Sequence, residues 1–432
     1  MLRVFRSLGT LALAMHTLVR EISLSLGKGR CMIRDGGLGI DEAEAGGRER
    51  SSVMQRVGVL VVLVMISAAL CLGWAIGAAA APFAYVTNEA GNSVSVIDTA
   101  TNTVTATVPV GTRPGGVAVH PAGTRVYVTN GQSDTVSVID TATNTVTATV
   151  TVGAAPFGVA ALPTGTRVYV ANLAGNSVSV LDTASNTVIA TIQLPVGVAP
   201  FGVAAHPNGT RVYVANSLGN TVSVIDTATN TVTSTVSVGT NPTGVAVHPN
   251  GTRVYVANWL DNSVSIIDTA TNTVTGRVFV GNGPSGVSVH PAGTRVYVSN
   301  EQSSTLSVLD TATDSLITTV VVGSAPEGVA VHPNGMLVYV ANFGSNTVSV
   351  IDTATNTVTA TVAVGASPVA GGQFIGPFAT KVDFNADGKP DILLQNTSSG
   401  DIYVWYMNGV TITGGAYVYL GGDPAWQIVG PK

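Results

Sequence analysis

GVAVHPNGTRVYVANWLDNSVSIIDTATNTVTGRVFVGNGPS, residues 244–285, is the stretch that decides the fold. It breaks into four short runs: GVAVH (244–248), RVYVAN (253–258), SVSIID (263–268) and TVTGRVFV (273–280). Each is rich in β-branched residues, which favour strands over helices. Between them stand Pro-Asn-Gly and Thr-Ala-Thr-Asn, residues that supply turn geometry. Four strands in a unit of about 40–45 residues is the pattern of a propeller blade.

The unit recurs along the chain. Tyr85, Tyr127, Tyr169, Tyr213, Tyr255, Tyr297 and Tyr339 each open a Tyr-Val-x-Asn tetrapeptide, at spacings of 42, 42, 44, 42, 42 and 42. The longer spacing comes from extra residues near Leu194-Pro195. The array starts at a second strand, Phe83-Ala84-Tyr85, and its last fourth strand finishes near Val364. Pro368 then repeats the linker proline of Pro114, Pro156, Pro200, Pro242, Pro284 and Pro326, and GGQFIG (371–376) follows as a diverged first strand. That segment is the piece the first unit lacks. Supplied from the far end, it closes the ring and removes the exposed edges of an open β-solenoid. The expected fold is all-β: a seven-bladed β-propeller of four-stranded blades closed by a C-terminal strand over 81–377, with a small C-terminal β unit over 378–432.

The Tyr-Val-(Thr/Ala/Ser)-Asn cores, the VSVIDTATNTV runs and the GVAVHP elements resemble the YVTN-family β-propellers of bacterial and archaeal surface-layer and exported proteins. The resemblance implies a seven-bladed ring outside the cytoplasm. It implies little chemistry, because one ring hosts many functions.

Composition narrows the classes. The chain is 45% hydrophobic and 10% charged, with a formal net charge of −5. Residues 81–432 hold 10 Lys/Arg and 18 Asp/Glu, so 10 − 18 = −8. So few cations make no phosphate-binding stripe, which excludes nucleic acid as a partner. The two cysteines, Cys31 and Cys71, precede the expected mature start, so no disulfide framework is available. Residues 57–80 follow Arg56 as an apolar run ending in small residues, the layout of a secretory signal cleaved near Ala80. The run is also long enough to span a membrane if uncleaved, which would be the chain's one membrane contact. The signal or anchor is assigned to 54–80. Residues 1–53 carry mixed charge without periodicity and are left unassigned, with Met54 an alternative start. The expected location is extracytoplasmic: secreted, periplasmic or cell-surface.

A blade's first-to-second and third-to-fourth turns lie on one face of the disc, and these are nearly uniform among the repeats. The second-to-third loops and inter-blade links lie on the other, and these vary. After Tyr-Val-x-Asn come Glu89, Gly131, Leu173, Ser217, Trp259, Glu301 and Phe343; after the linker proline come Gly115, Phe157, Phe201, Thr243, Ser285, Glu327 and Val369. Variable loops on a rigid scaffold are where binding resides. The expected binding face is Phe157, Phe201, Trp259, Phe343, Glu89, Glu301 and Glu327, with the aromatics exposed. The competing reading is drift after duplication, with those aromatics packed locally.

The repeated polar residues read as structure. His120, His206, His248, His290 and His332 each precede a proline at the same turn, a place for a turn-fixing hydrogen bond rather than a shared metal. Asp98, Asp140, Asp182, Asp226, Asp268, Asp310 and Asp352 stand before Thr-Ala turns, where a carboxylate accepts local N–H and O–H bonds. Arg125, Arg167, Arg211, Arg253 and Arg295 are expected to pair with those aspartates. A catalytic set needs unlike environments, and sevenfold copies offer the opposite.

Beyond 378 the texture changes. In DFNADGKPD (383–391), Asp383, Asn385 and Asp387 alternate, Gly388 permits a sharp turn, Lys389 offers a carbonyl and Asp391 closes the loop. Oxygen ligands so spaced suit Ca²⁺. Leu394 stands where an EF-hand needs an acid, and the loop resembles those of FG-GAP/VCBS-type repeats. The segment after it, ILLQNTSSGDIYVWYMNGV, reads as a hairpin. The functional expectation is an exported, non-enzymatic scaffold that binds a protein or a cell-surface glycan. The alternatives are a propeller hydrolase of lactonase type, for which a unique pore cluster would be needed, and a lectin-like module with Trp259 and Phe343 stacking on sugars.

Overall fold

The computed structural model describes residues 82–376 throughout, and the strands Cys31–Arg34, Gly37–Ile40, Ile392–Asn396, Ile402–Asn408, Thr411–Val418 and Trp426–Ile428. The segment 54–80 and the ion loop Asp383, Asn385, Asp387, Lys389 and Asp391 lie outside the described residues. The chain divides into two compact units, Met1–Gly77 and Ala78–Lys432. The first holds an antiparallel pair running from Cys31↔Ile40 to Arg34↔Gly37. Among the C-terminal strands, Ile392–Asn396 pairs antiparallel with Ile402–Asn408 on one side and Trp426–Ile428 on the other.

Residues 82–376 form a seven-bladed β-propeller. Six blades are four-stranded antiparallel sheets in plain sequence order. Blade 5, for example, is Pro242–Val247, Arg253–Asn258, Ser263–Asp268 and Thr273–Phe279 from the axis outward. Burial follows that order. The second strand RVYVAN is buried from Val254 to Asn258, because both faces of its sheet are covered by neighbouring blades. The fourth strand is exposed at most positions, being the outer edge.

The period-2 alternation of strands assigns each side chain to one neighbour. Val168 and Val170 of blade 3 pack on Tyr127, Val136 and Val138 of blade 2. Tyr169 and Ala171 of the same strand pack on Val212 and Val214 of blade 4. The second residue of each repeat tyrosine tetrapeptide thus faces backward and the tyrosine forward, and the ring is a set of interlocked inter-blade cores. All seven repeat tyrosines are essentially inaccessible to solvent.

The tetrapeptide asparagine binds its own blade. Asn258 Nδ2 donates to Ser263 Oγ at 3.1 Å and to Ser265 Oγ at 2.9 Å, fixing the second strand to the third. Buried amides require such partners. The aspartates act as expected: Asp226 Oδ1 accepts from the backbone of Ala228 and Thr229, at 3.0 and 2.8 Å, and from the Thr229 hydroxyl. These bonds hold the Asp226 carboxyl below its ordinary pKa range.

The histidines join blades. His248 Nδ1 accepts the Asn250 N–H at 3.2 Å, so its other nitrogen carries the proton and donates to the Gly293 carbonyl of the next blade at 2.8 Å. His120, His206 and His290 do the same toward Gly165, Gly251 and Gly335. The arginines depart from expectation. Arg167 and Arg211 donate to the carbonyls of Thr227 and Thr269 of the next blade, both at 2.6 Å. Among the described repeat arginines only Arg253 forms an ion pair with an aspartate, and its partner is Asp314, outside the repeated set. A guanidinium long enough to cross the blade gap finds an inter-blade carbonyl before its own blade's turn carboxylate.

Blade 1 has three strands of its own, Phe83–Asn88, Ser93–Asp98 and Thr103–Pro109. Its inner position is filled by 368–376. Tyr85 N–H donates to the Phe374 carbonyl at 2.8 Å and Val369 N–H to the Thr87 carbonyl at 3.0 Å. The pairing is looser than a regular strand: Asn88 faces Pro368 and Ala84 faces Ile375, two residues more than the equivalent span elsewhere. The surplus lets Gly371 and Gln373 also accept from Val117 and Val119 of blade 2. Phe374 is fully buried among residues of blades 1, 2 and 7. The ring is closed by its two ends, with seven blades.

Candidate functional site

The residue after each linker proline sits where an inner strand begins, at the axis. The residue after that is glycine in blades 2–7, for a steric reason. A Cβ on Gly158 would lie 2.0 Å from the Phe201 carbonyl oxygen, and one on Gly244 would lie 2.3 Å from that of Ser285. Adjacent inner strands approach too closely for any side chain there. The collar of glycines draws the blades together and leaves the preceding residues to line the axial channel.

The channel mouth is lined by Phe157, Phe201, Thr243, Ser285, Glu327 and Val369, around a narrow cavity of about 50 Å³. Phe157 and Phe201 stack, with ring centroids 4.0 Å apart and planes at 28°. Phe157 also covers Gly115, the one ring position without a side chain. Thr243 Oγ1 donates to the carbonyls of Pro284 and Ser285, each at 3.1 Å. Glu327 is the single acid among the seven positions. In a seven-membered ring, blade 7 lies across the axis from blades 3 and 4, so Glu327 faces the two phenylalanines.

Glu327 is half-buried, and its side chain makes no hydrogen bond among the described residues. Burial first, then the negative charges of Glu301 and Glu89 on the flanking blades, push its pKa from 4.5 up to about 8. Both neighbours are engaged. Glu89 accepts from Arg113 Nε at 2.7 Å. Glu301 Oε2 accepts from Trp259 Nε1 at 2.9 Å, and starts a short 3-10 turn, Glu301–Ser303.

The seven expected binding residues therefore separate. Phe157, Phe201 and Glu327 meet at the channel, and Glu89 and Glu301 stand near enough to act on Glu327 electrostatically. Trp259 and Phe343 are half-buried rather than exposed. Trp259 packs locally, over Gly283 and against Glu301. Neither lines the channel cavity. Among the seven post-proline positions Glu327 is the one acid, and its environment sets it apart from the repeated aspartates. The sequence carries this signal as one acid among seven aligned post-proline residues.

On the uniform face, a groove of about 430 Å³ lies by His290, Arg295 and Asp310. Its His290 and Arg295 are already bonded to Gly335 and Thr353 of blade 7. Among the described residues no cluster of three or more His, Cys, Asp or Glu is arranged to hold a metal ion.

These features define the chain as a seven-bladed β-propeller with a distinctive acidic group at the mouth of its channel. Residues 158–371, which span blades 3–7 and include Glu327, match the family described as Lactonase, 7-bladed beta-propeller. That match points to a hydrolase-type enzyme and overturns the expectation of a non-enzymatic scaffold. Among solved structures the chain is similar to a chain of Kuenenia stuttgartiensis hydrazine synthase, with 26% identity over 62% of this chain and 92% of that one at a TM-score of 0.58. It is also similar to a protein of unknown function from Desulfotomaculum acetoxidans DSM 771, with 22% identity over 68% and 98% of the two chains at a TM-score of 0.59, a likeness of fold alone. None of the curated proteins matches the chain.

Proposed function

We propose that the chain is a lactonase-type hydrolase working at the channel mouth, with Glu327 as its acid–base group. The observation that carries this reading is a lone, half-buried carboxyl in the lining of the channel mouth, opposite two phenylalanines, where burial and the charges of Glu301 and Glu89 push its pKa up to about 8. A pKa near the working pH suits proton transfer, and strongly shifted groups in clefts mark functional sites. The lactonase family match over the blades that supply Glu327 supports it.

In the ionised state the Glu327 carboxylate takes a proton from water as the water oxygen bonds to the lactone carbonyl carbon. The tetrahedral intermediate then collapses, the ring C–O bond breaks, and the proton passes from Glu327 to the departing oxygen. The product is a hydroxy acid, and Glu327 is regenerated. Ser285 brings a hydroxyl to the same lining, while that of Thr243 is engaged with the Pro284 and Ser285 carbonyls, and the phenylalanines limit the water that reaches it.

The reading further places the protein outside the cytoplasm, with residues 383–391 as a Ca²⁺ loop, testable by dialysis against ⁴⁵Ca²⁺ with Asp383→Ala as the control. The central test is hydrolysis of a panel of five- and six-membered lactones by the full chain, followed by acid release. Glu327→Gln should lower kcat by at least about 100-fold while leaving the fold intact. An unchanged rate, or no hydrolysis by the parent chain, would overturn the assignment.

A further inference from the structure

We infer that the substrate taken at this mouth has an apolar body and carries no anionic group. The inference rests on the hydrolase reading and specifies its substrate class. Two independent features of the mouth carry it.

The first is charge. The second-to-third loops and the links of the seven blades hold five acids, Glu89, Asp134, Asp261, Glu301 and Glu327, against one base, Arg113. Arg113 is committed to Glu89. Asp261 accepts from the Thr240 N–H at 2.8 Å and pairs with Arg277, which comes from an outer strand. A phosphate or carboxylate on the substrate would therefore approach the unpaired Glu301 carboxylate, joined by that of Glu327 once it ionises, and meet no uncommitted cation among the described residues of this face. Like charges brought together in a partly dehydrated site repel, which disfavours an anionic group there.

The second is the opposite wall. Blades 3 and 4 place two stacked phenyl rings across the axis from Glu327. Ring stacks of this kind bury apolar surface and give an apolar body a flat seat. The mouth is thus two-sided: an apolar wall to hold the body, and a carboxyl facing it to act on the carbonyl. A cavity of about 50 Å³ admits only a small group, so the reacting end enters and the body rests at the phenylalanine side.

The test uses binding as well as turnover. The probes are a six-membered lactam with a propyl side chain and the same lactam with the chain ending in a carboxylate, titrated calorimetrically into the full chain. Neither is hydrolysed as a lactone would be, so charge preference is read without chemistry. The neutral probe should bind at least about tenfold tighter. Glu89→Gln with Glu301→Gln should shrink that ratio severalfold, since it removes two negative charges and releases Arg113. Phe157→Ala should weaken the neutral probe with little effect on the ratio. Equal or tighter binding of the carboxylate probe, or no binding of either, would overturn the inference. If the neutral probe binds as expected while the matching propyl lactone is not hydrolysed, the hydrolase reading falls and the charge selectivity stands.

Discussion

Replacing Glu327 with glutamine keeps the side chain's size and removes its titration. The carboxyl ionises near pH 4.5 in the unfolded chain and near pH 8 in the ring. Between those values the folded protein holds a proton that the unfolded chain has lost. Linkage then makes stability fall as pH rises through that window, with the contribution fully present below about pH 4.5 and gone above about pH 8. A shift of this size corresponds to at most about 5 kcal/mol, and water reaching the carboxylate from the channel reduces it to about half. The glutamine variant has no such slope. Urea unfolding of both proteins at about pH 5 and about pH 9 should show the parent losing roughly 2–3 kcal/mol relative to the variant. The turn aspartates, whose pKa values are lowered, lose their contribution only at more acidic pH and leave this window clear. The same ionisation should appear in the rate, as hydrolysis that rises with pH to a plateau above about 8. Parallel stability curves for the two proteins would refute the buried-acid argument, whatever the activity shows.

Three further outcomes follow from the frame. Phe374→Ala should cost about 3–5 kcal/mol in urea unfolding, because a fully buried ring at the closure leaves a cavity shared by three blades; a loss below about 1 kcal/mol would mean the ends are not joined this way. Gly244→Ala should destabilise by about 2 kcal/mol or more, since its Cβ would meet the Ser285 carbonyl at 2.3 Å, whereas Gly276→Ala on an outer strand, with its nearest contact at 3.5 Å, should be near neutral by the same measurement. His248→Ala should cost about 1 kcal/mol through the lost bond to Gly293, seen as a lower urea midpoint with an unchanged slope.

The frame was legible because it repeats. Seven tyrosine tetrapeptides and a linker proline at Pro368 suffice to count blades and locate the closing segment, since only one piece of sheet is missing. What repeats cannot show is which variable position faces the axis. Glu327 and Trp259 look alike in a list of variable residues, yet one follows a linker proline beside a glycine collar and the other follows a second strand. Registering the repeats would have paired Trp259 with Glu301, since they occupy the same place one unit apart. A lone carboxyl offers no cluster of unlike groups for a sequence pattern to show. Here the environment, more than the number of groups, makes one carboxyl unusual, and the flanking charges come from blades far apart in sequence. The arginines were misread for a related reason: their partners are main-chain carbonyls, which no residue pattern announces.

The chain enters and leaves the ring side by side, with the Gly376 N–H on the Phe83 carbonyl. A pull applied between residues 82 and 376 would therefore act at one end of this antiparallel seam. It would open that seam like a zip, one hydrogen bond after another, from Phe83 toward Glu89. Blade 2 would share the load through its bonds from Val119 and Val117 to Gln373 and Gly371 as the opening reached them. Under tension the protein yields first at its own joint, and because both loose ends stay attached to the disc, release of the force lets the same seam re-form.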